Sequence, residues 1–157
     1  MATEIERKFL VCSERWRSLI SSSVPMRQGY LSNSAKASVR VRIESDRALL
    51  NIKSARLGIW RHEYEYEIPI EEAREMLNLC EGPLIEKTRY HVPFGRHIWE
   101  VDVFEGDNKG LIVAEIELDN ENEAFDRPDW IGAEVSHDSR YYNVSLVEHP
   151  YKDWLEK

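Results

Sequence analysis

Carboxylates recur at every second position in this chain: Glu4 and Glu6 in TEIERKFLV, Glu63, Glu65 and Glu67 in RHEYEYEIPI, Glu100 and Asp102 in IWEVDVFEG, and Glu115 and Glu117 in LIVAEIELD. Basic residues keep the same spacing, with Arg40 and Arg42 in ASVRVRIES and Lys87 and Arg89 in IEKTRYHV, while Lys8 and Lys53 each end an alternating run. A spacing of two places both members of a pair on one face of a strand, roughly 7 Å apart. Like charges so placed repel and require a counter-charge. A solvated strand face would mix Thr, Ser, Lys and Gln, whereas these faces segregate by sign. Clustered carboxylates are hard oxygen ligands for a divalent cation, and Arg and Lys forks hold a polyanion such as a chain of phosphates.

The residues between the charges are apolar. Val39, Val41 and Ile43 alternate with Arg40, Arg42 and Glu44; Leu50 and Ile52 alternate with Asn51 and Lys53; Tyr64, Tyr66 and Ile68 alternate with the acidic triplet. With the opening segment and MRQGYLS, eight strands are predicted, two of them joined as a hairpin by a turn at Ser45 and Asp46. Closing them into a barrel with the charged faces inward lets acidic and basic strands neutralise one another across a lumen too polar to be a packed core. The fold class is therefore α+β, an eight-stranded antiparallel β-barrel with peripheral helices covering its apolar outside. Residues Glu71 to Leu79, between Pro69 and Gly82-Pro83, carry a helical pattern. Ser13 to Ile20, Glu121 to Phe125, DWIGAEV, SRYYNVSLVEH and the terminal YKDWLEK are weaker helical candidates. Arg7 falls on the apolar face of its strand, which predicts a stem along the wall and a head in solvent.

Bulk properties limit what such a barrel can be. The 157 residues, 42% hydrophobic and 32% charged, suit a single domain spanning 1–157, with no linker or repeat to divide it. A formal net charge of −8 argues against a nonspecific nucleic-acid binder, yet leaves room for positive charge focused inside. Cys12 and Cys80 have neither metal-site spacing nor a disulfide framework, no apolar run reaches the length of a membrane span, and the charged start is unlike a signal peptide. These features predict a cytoplasmic protein with neither membrane nor nucleic acid as partner, and leave a homodimer open.

Taken together, the motifs resemble the CYTH domains, the triphosphate tunnel metalloenzyme superfamily. The ExExK element is Glu4, Glu6 and Lys8; RVR at Arg40 to Arg42, NIK ending at Lys53, EYEYEI from Glu63, EKTRY from Glu86, EVDVF from Glu100, EIEL from Glu115 and RYYN from Arg140 follow in order. The likeness is strongest to the short bacterial members, which also open with EIERKFLV and carry RQGYL. It implies a metal-dependent triphosphatase using Mg²⁺ or Mn²⁺ on a small-molecule triphosphate, most simply inorganic triphosphate. By matching position it assigns metal binding to Glu4, Glu6 and Glu117, with Glu115 and Asp102 nearby and Glu63, Glu65 or Glu67 for a second ion or the attacking water. Phosphate contacts fall to Lys8, Arg40, Arg42, Lys53, Lys87, Arg89 and Arg140, and catalytic roles to Lys8, Tyr30, Lys87 and Glu65. Whether a carboxylate or the metal activates the water stays open.

Three other functions compete. Class IV adenylate cyclases share the fold but carry a His-Phe pair upstream of ExExK, and only three residues precede Glu4 here. Thiamine triphosphatase needs an organic-cation site, for which the scattered Trp and Tyr residues make no clear aromatic cage. A noncatalytic polyphosphate-binding module would keep the basic side and lose the metal ligands, whereas every acidic position is present. His62, His91, His97, His137 and His149 have no ligand spacing and read as ordinary residues.

Overall fold

A computed structural model describes residues 3–55 and 59–155. The nine strands are β1 (Thr3–Val11), β2 (Ser22–Asn33), β3 (Ala37–Glu44), β4 (Arg47–Ser54), β5 (Trp60–Ile68), β6 (Glu81–Phe94), β7 (His97–Phe104), β8 (Ile112–Glu117) and β9 (Ile131–Glu134). Hydrogen bonding runs in the order β5-β4-β3-β2-β6-β7-β8-β1-β9, and β1 also pairs with β5. That second pairing closes β1 to β8 into the expected eight-stranded antiparallel barrel, with β9 added outside on β1. The predicted hairpin is present: Glu44 pairs with Arg47 around Ser45 and Asp46, and Ser45 takes a positive φ of 52°.

Strand parity sorts the side chains. Outward residues of β1, β6, β7 and β8 form one apolar cluster around Phe9, Val92, Trp99, Val101, Ala114 and Ile116, covered by Trp16, Trp130 and Phe125. Outward residues of β3 and β4 form a second, in which Val41 and Ala48 lie under Ala73 and Leu77 of helix α1 (Ile70–Leu77). The third lies on the inward rows. Ile85 continues the row of Lys87 and Arg89, Phe104 that of Asp102, and Val113 that of Glu115; these meet Leu146 of the short helix α2 (Asn143–Glu148). The lumen therefore changes from charged to apolar along its length, and α2 seats an apolar side chain against the apolar part.

Most of the covering is not helical. Ser13 to Ile20 yields only a 3₁₀ turn at Arg15–Leu19, and Glu121 to Phe125 forms no helix. DWIGAEV, expected to be helical, contains β9 instead, because Ile131 and Glu134 find register partners in Val11 and Phe9. SRYYNVSLVEH divides into a 3₁₀ turn at Ser139–Tyr141 and α2, and YKDWLEK gives a 3₁₀ turn at Tyr151–Asp153, its last two residues lying outside the described range. Bulky Trp and Phe side chains fill the outer groove by themselves, so long helices are not needed there. Arg7 differs from expectation as well: its head is held by Glu134 of β9 at 2.6 Å and lies 4.9 Å from the Phe125 ring centroid. Among the described residues no helix is long and apolar enough to cross a membrane.

Candidate active site

The charged part of the lumen encloses a cavity of about 270 Å³. Each wall is built by register. Pairing of β2 with β3 sets Gln28 beside Arg42 and Tyr30 beside Arg40; pairing of β1 with β8 sets Glu6 opposite Glu117 and Lys8 opposite Glu115. Of the residues predicted from sequence, Glu4, Glu6, Lys8, Tyr30, Arg40, Arg42, Lys53, Glu63, Glu65, Lys87, Arg89, Glu115 and Glu117 all line this one cavity.

Arg40, Arg42, Lys87 and Arg89 form the basic wall. Asp102 stands behind it, fully buried, accepting from Lys87 Nζ at 2.7 Å and from Arg89 Nε at 2.8 Å and Nη2 at 2.9 Å. Burial would raise the Asp102 carboxyl, but Arg89 and Lys87 overcome it and hold it below its usual range. For Lys87 burial dominates despite Asp102, and with Arg89 and Arg42 nearby it lowers the ammonium to about 7. Burial, then the charges of Arg40 and Arg89, lowers Arg42 to about 10. Arg89 runs the other way: burial opposes it, but Asp102 and Glu100 hold it well above its usual range. The under-compensated part of the wall is therefore Lys87 with Arg42, an arrangement that favours an anion there.

The acidic wall has the opposite excess. Burial, then Glu115 and Glu4, pushes the Glu6 carboxyl well above its ordinary value. Burial with Glu100, Glu4 and Glu63 raises Glu117, and burial with a hydrogen bond to Glu4 raises Glu63. Two members run the other way: burial opposes them, but Lys53 lowers Glu4, while Lys8 and the hydrogen bond with Glu6 hold Glu115 well below the usual range. Glu4 Oε2 is 2.8 Å from Lys53 Nζ; its Oε1 is 3.5 Å from Arg61 Nε and, though buried, has no hydrogen bond. Among the described residues no three of these carboxylates already stand as a ligand set. Their oxygen-only chemistry, their mutual repulsion and the orphaned Glu4 Oε1 fit a hard divalent cation.

Three predicted residues stand apart. Glu67 pairs with Leu49 at the end of β5, its side chain is 68% exposed, and it meets Arg47 rather than the lumen. Arg140 is turned away: it bonds Asp138 at 2.8 Å and its guanidinium lies over the Tyr141 and Trp154 rings. Asp102 does not border the cavity, because Lys87 and Arg89 occupy its oxygens. Arg61, Gln28, Asn51, His91 and the Tyr142–Val144 segment belong to the site or its support and were not singled out by sequence, while Glu100, marked by its spacing from Asp102 but given no role, lines the cavity as well. Parity alone marks Arg61, two residues before Glu63, and Gln28, two before Tyr30, as inward. His91, which spacing marks as ordinary, extends the row of Lys87 and Arg89 and lies 3.7 Å from Glu100.

Known proteins resemble this chain. Residues 2–151 match the CYTH domain family. An Acetivibrio thermocellus protein named inorganic triphosphatase is 51% identical over 157 residues, 99% of this chain and 100% of the relative. A Nitrosomonas europaea protein of the same name is 38% identical over 150 residues, 92% of this chain and 97% of the relative. A crystal structure described as an inorganic triphosphatase superposes with a TM-score of 0.65 at 34% identity, covering 94% of this chain and 95% of that one. A Hippeastrum protein described as an adenylyl cyclase with a dominant triphosphatase activity has a TM-score of 0.57 at 16% identity, with 76% of this chain and 80% of that one covered. At that identity the likeness concerns the fold alone.

Proposed function

The chain belongs to the CYTH domain family, and from that premise we propose that it hydrolyses inorganic triphosphate to pyrophosphate and phosphate inside the barrel, with Mg²⁺ or Mn²⁺ as cofactor. The observation that carries the proposal is one enclosed cavity in which a cation-rich wall faces a carboxylate-rich one. Each wall carries charge that the other does not fully neutralise. A phosphate chain on the first and a divalent cation on the second supply the missing counter-charges.

In this reading Arg40, Arg42, Lys87 and Arg89 hold the non-bridging oxygens of the chain, with Lys8 and Lys53 reaching it from the acidic side. Tyr30, beside Arg40, donates its hydroxyl to a phosphate oxygen. Glu4, Glu6, Glu115 and Glu117 would hold the ion, with Glu63 beside them. A cation held by these carboxylates would supply charge neutralisation and polarisation at the terminal phosphoryl group. Glu65, whose Oε2 accepts from Asn51 Nδ2 at 3.0 Å, is held by that amide in the cavity and orients the attacking water. Asp102 fixes Lys87 and Arg89 from behind and is a positioning residue. Lys53 and Arg61 serve as counter-ions to Glu4. The two cysteines are free, which suits a reducing cytoplasm.

The test is phosphate release from inorganic triphosphate, ATP and thiamine triphosphate with Mg²⁺ and with Mn²⁺, in wild type and in Glu6→Ala. The expected result is release from inorganic triphosphate, cut by roughly 100-fold or more in the variant. No release from any substrate, or equal release in the variant, overturns the proposal. Cyclic AMP formed from ATP would replace it with the cyclase.

A further inference from the structure

One amide in the cavity has no part in the roles assigned so far. Asn143, the first residue of α2, accepts with a single atom, Oδ1, from Lys87 Nζ at 3.0 Å and from Gln28 Nε2 at 3.0 Å. Gln28, completely buried, in turn accepts through Oε1 from Arg42 Nε at 2.7 Å. The orientation of both amides is fixed by chemistry. Arg42 can only donate, so it must meet the Gln28 oxygen, which leaves Gln28 to give its NH₂ to the Asn143 oxygen, and the Lys87 ammonium donates to that same oxygen. Two phosphate-wall cations, from β6 and β3, are thereby joined through two neutral side chains. With Oδ1 used twice, the Nδ2 group of Asn143 remains as a donor in a residue that lines the cavity, and it is not among the buried unpartnered atoms.

We infer that Asn143 is a substrate-binding residue: its Nδ2 donates to a phosphate oxygen of the bound chain, while its Oδ1 holds Lys87, and through Gln28 Arg42, in the positions that receive the neighbouring oxygens. This rests on the reading of the cavity as a triphosphate site. A neutral donor suits this place, because a further cation would add to the repulsion that already depresses Lys87 and Arg42. Holding two long cationic side chains in advance also removes part of the ordering cost that the substrate would otherwise bear. The helix thus contributes directly to ligand recognition as well as covering the apolar part of the lumen.

Asn143→Asp separates recognition from support. It keeps the shape and both acceptor bonds, so the fold and the Lys87–Gln28 linkage persist and the melting temperature stays level or rises. It loses the donor and sets a carboxylate against the phosphate. Binding of inorganic triphosphate by calorimetry without divalent metal should then weaken roughly 10- to 100-fold, and KM with metal should rise by more than kcat falls. Asn143→Ala should weaken binding too and also lower the melting temperature. Triphosphate bound by wild type and by Asn143→Asp with equal affinity overturns this inference alone. No binding by the wild type overturns it together with the triphosphate reading.

Discussion

At the level of single residues, the site is defined by charges that the protein itself leaves under-compensated. Lys87 shows the cost most clearly. Its ammonium is lowered from an ordinary 10.5 to about 7 because burial, together with Arg89 and Arg42, outweighs Asp102. Between those two values the unfolded chain carries more protons than the folded one, so this group makes stability rise with pH across the interval. Lys87→Met lacks that contribution. Melting curves should therefore show wild type gaining stability relative to Lys87→Met between about pH 7 and pH 9; a constant difference would show that Lys87 titrates normally. Arg7 is the opposite case, a charge fully answered by Glu134 and Phe125 outside the barrel, where it joins β1 to β9.

At the level of elements, alternation made β1 and β3 to β8 legible, because a strand with one face in a charged lumen and the other on an apolar layer shows period two. β2, whose row of Val24, Met26, Gln28 and Tyr30 carries no charge, was legible only over MRQGYLS and runs from Ser22 to Asn33. Alternation failed where that rule has no hold. β9 is four residues long and pairs only at the barrel's outside, so Ile131 to Glu134 carries too little pattern to separate strand from helix. Asn143 was invisible because the meeting of α2 with β2 and β6 is a tertiary event; nothing local to RYYN says that Asn143 rather than Arg140 enters the lumen. Glu67 misled for a related reason. It continues the acidic row in sequence, but the row leaves the cavity where its partner becomes Leu49. Two substitutions test the element packing. A Cβ on Gly29 would lie 2.7 Å from Leu84 Cδ2 and 2.9 Å from Cys80 Cβ, so Gly29→Ala should destabilise by about 1–3 kcal/mol in denaturant titration. Leu146→Ala should cost about 2–5 kcal/mol and raise amide exchange through α2; an unchanged unfolding midpoint would contradict the placement of Leu146 among Ile85, Phe104 and Val113.

The whole molecule is an acidic protein that sorts its interior charge by wall, with Arg40, Arg42, Lys87 and Arg89 on one side and Glu4, Glu6, Glu115 and Glu117 on the other. With a net charge of −8, it has no electrostatic reason to attract polyanions in general, and the proposed recognition is local to the basic wall of the lumen. The closed barrel makes that wall possible: each strand delivers one inward row, and closure brings the rows of β3 and β6 to face those of β1, β5 and β8. A ligand that supplies the missing counter-charges should stabilise the native state by mass action, so inorganic triphosphate should raise the melting temperature in proportion to the logarithm of its concentration. The most direct test is a crystal structure with inorganic triphosphate and Mn²⁺, the ion located by its anomalous scattering. The expected result is the phosphate chain inside the barrel against Arg40, Arg42, Lys87 and Arg89, and the ion on carboxylates from Glu4, Glu6, Glu115 and Glu117. Triphosphate bound outside the lumen, or Mn²⁺ only on surface carboxylates such as Glu67, would contradict it.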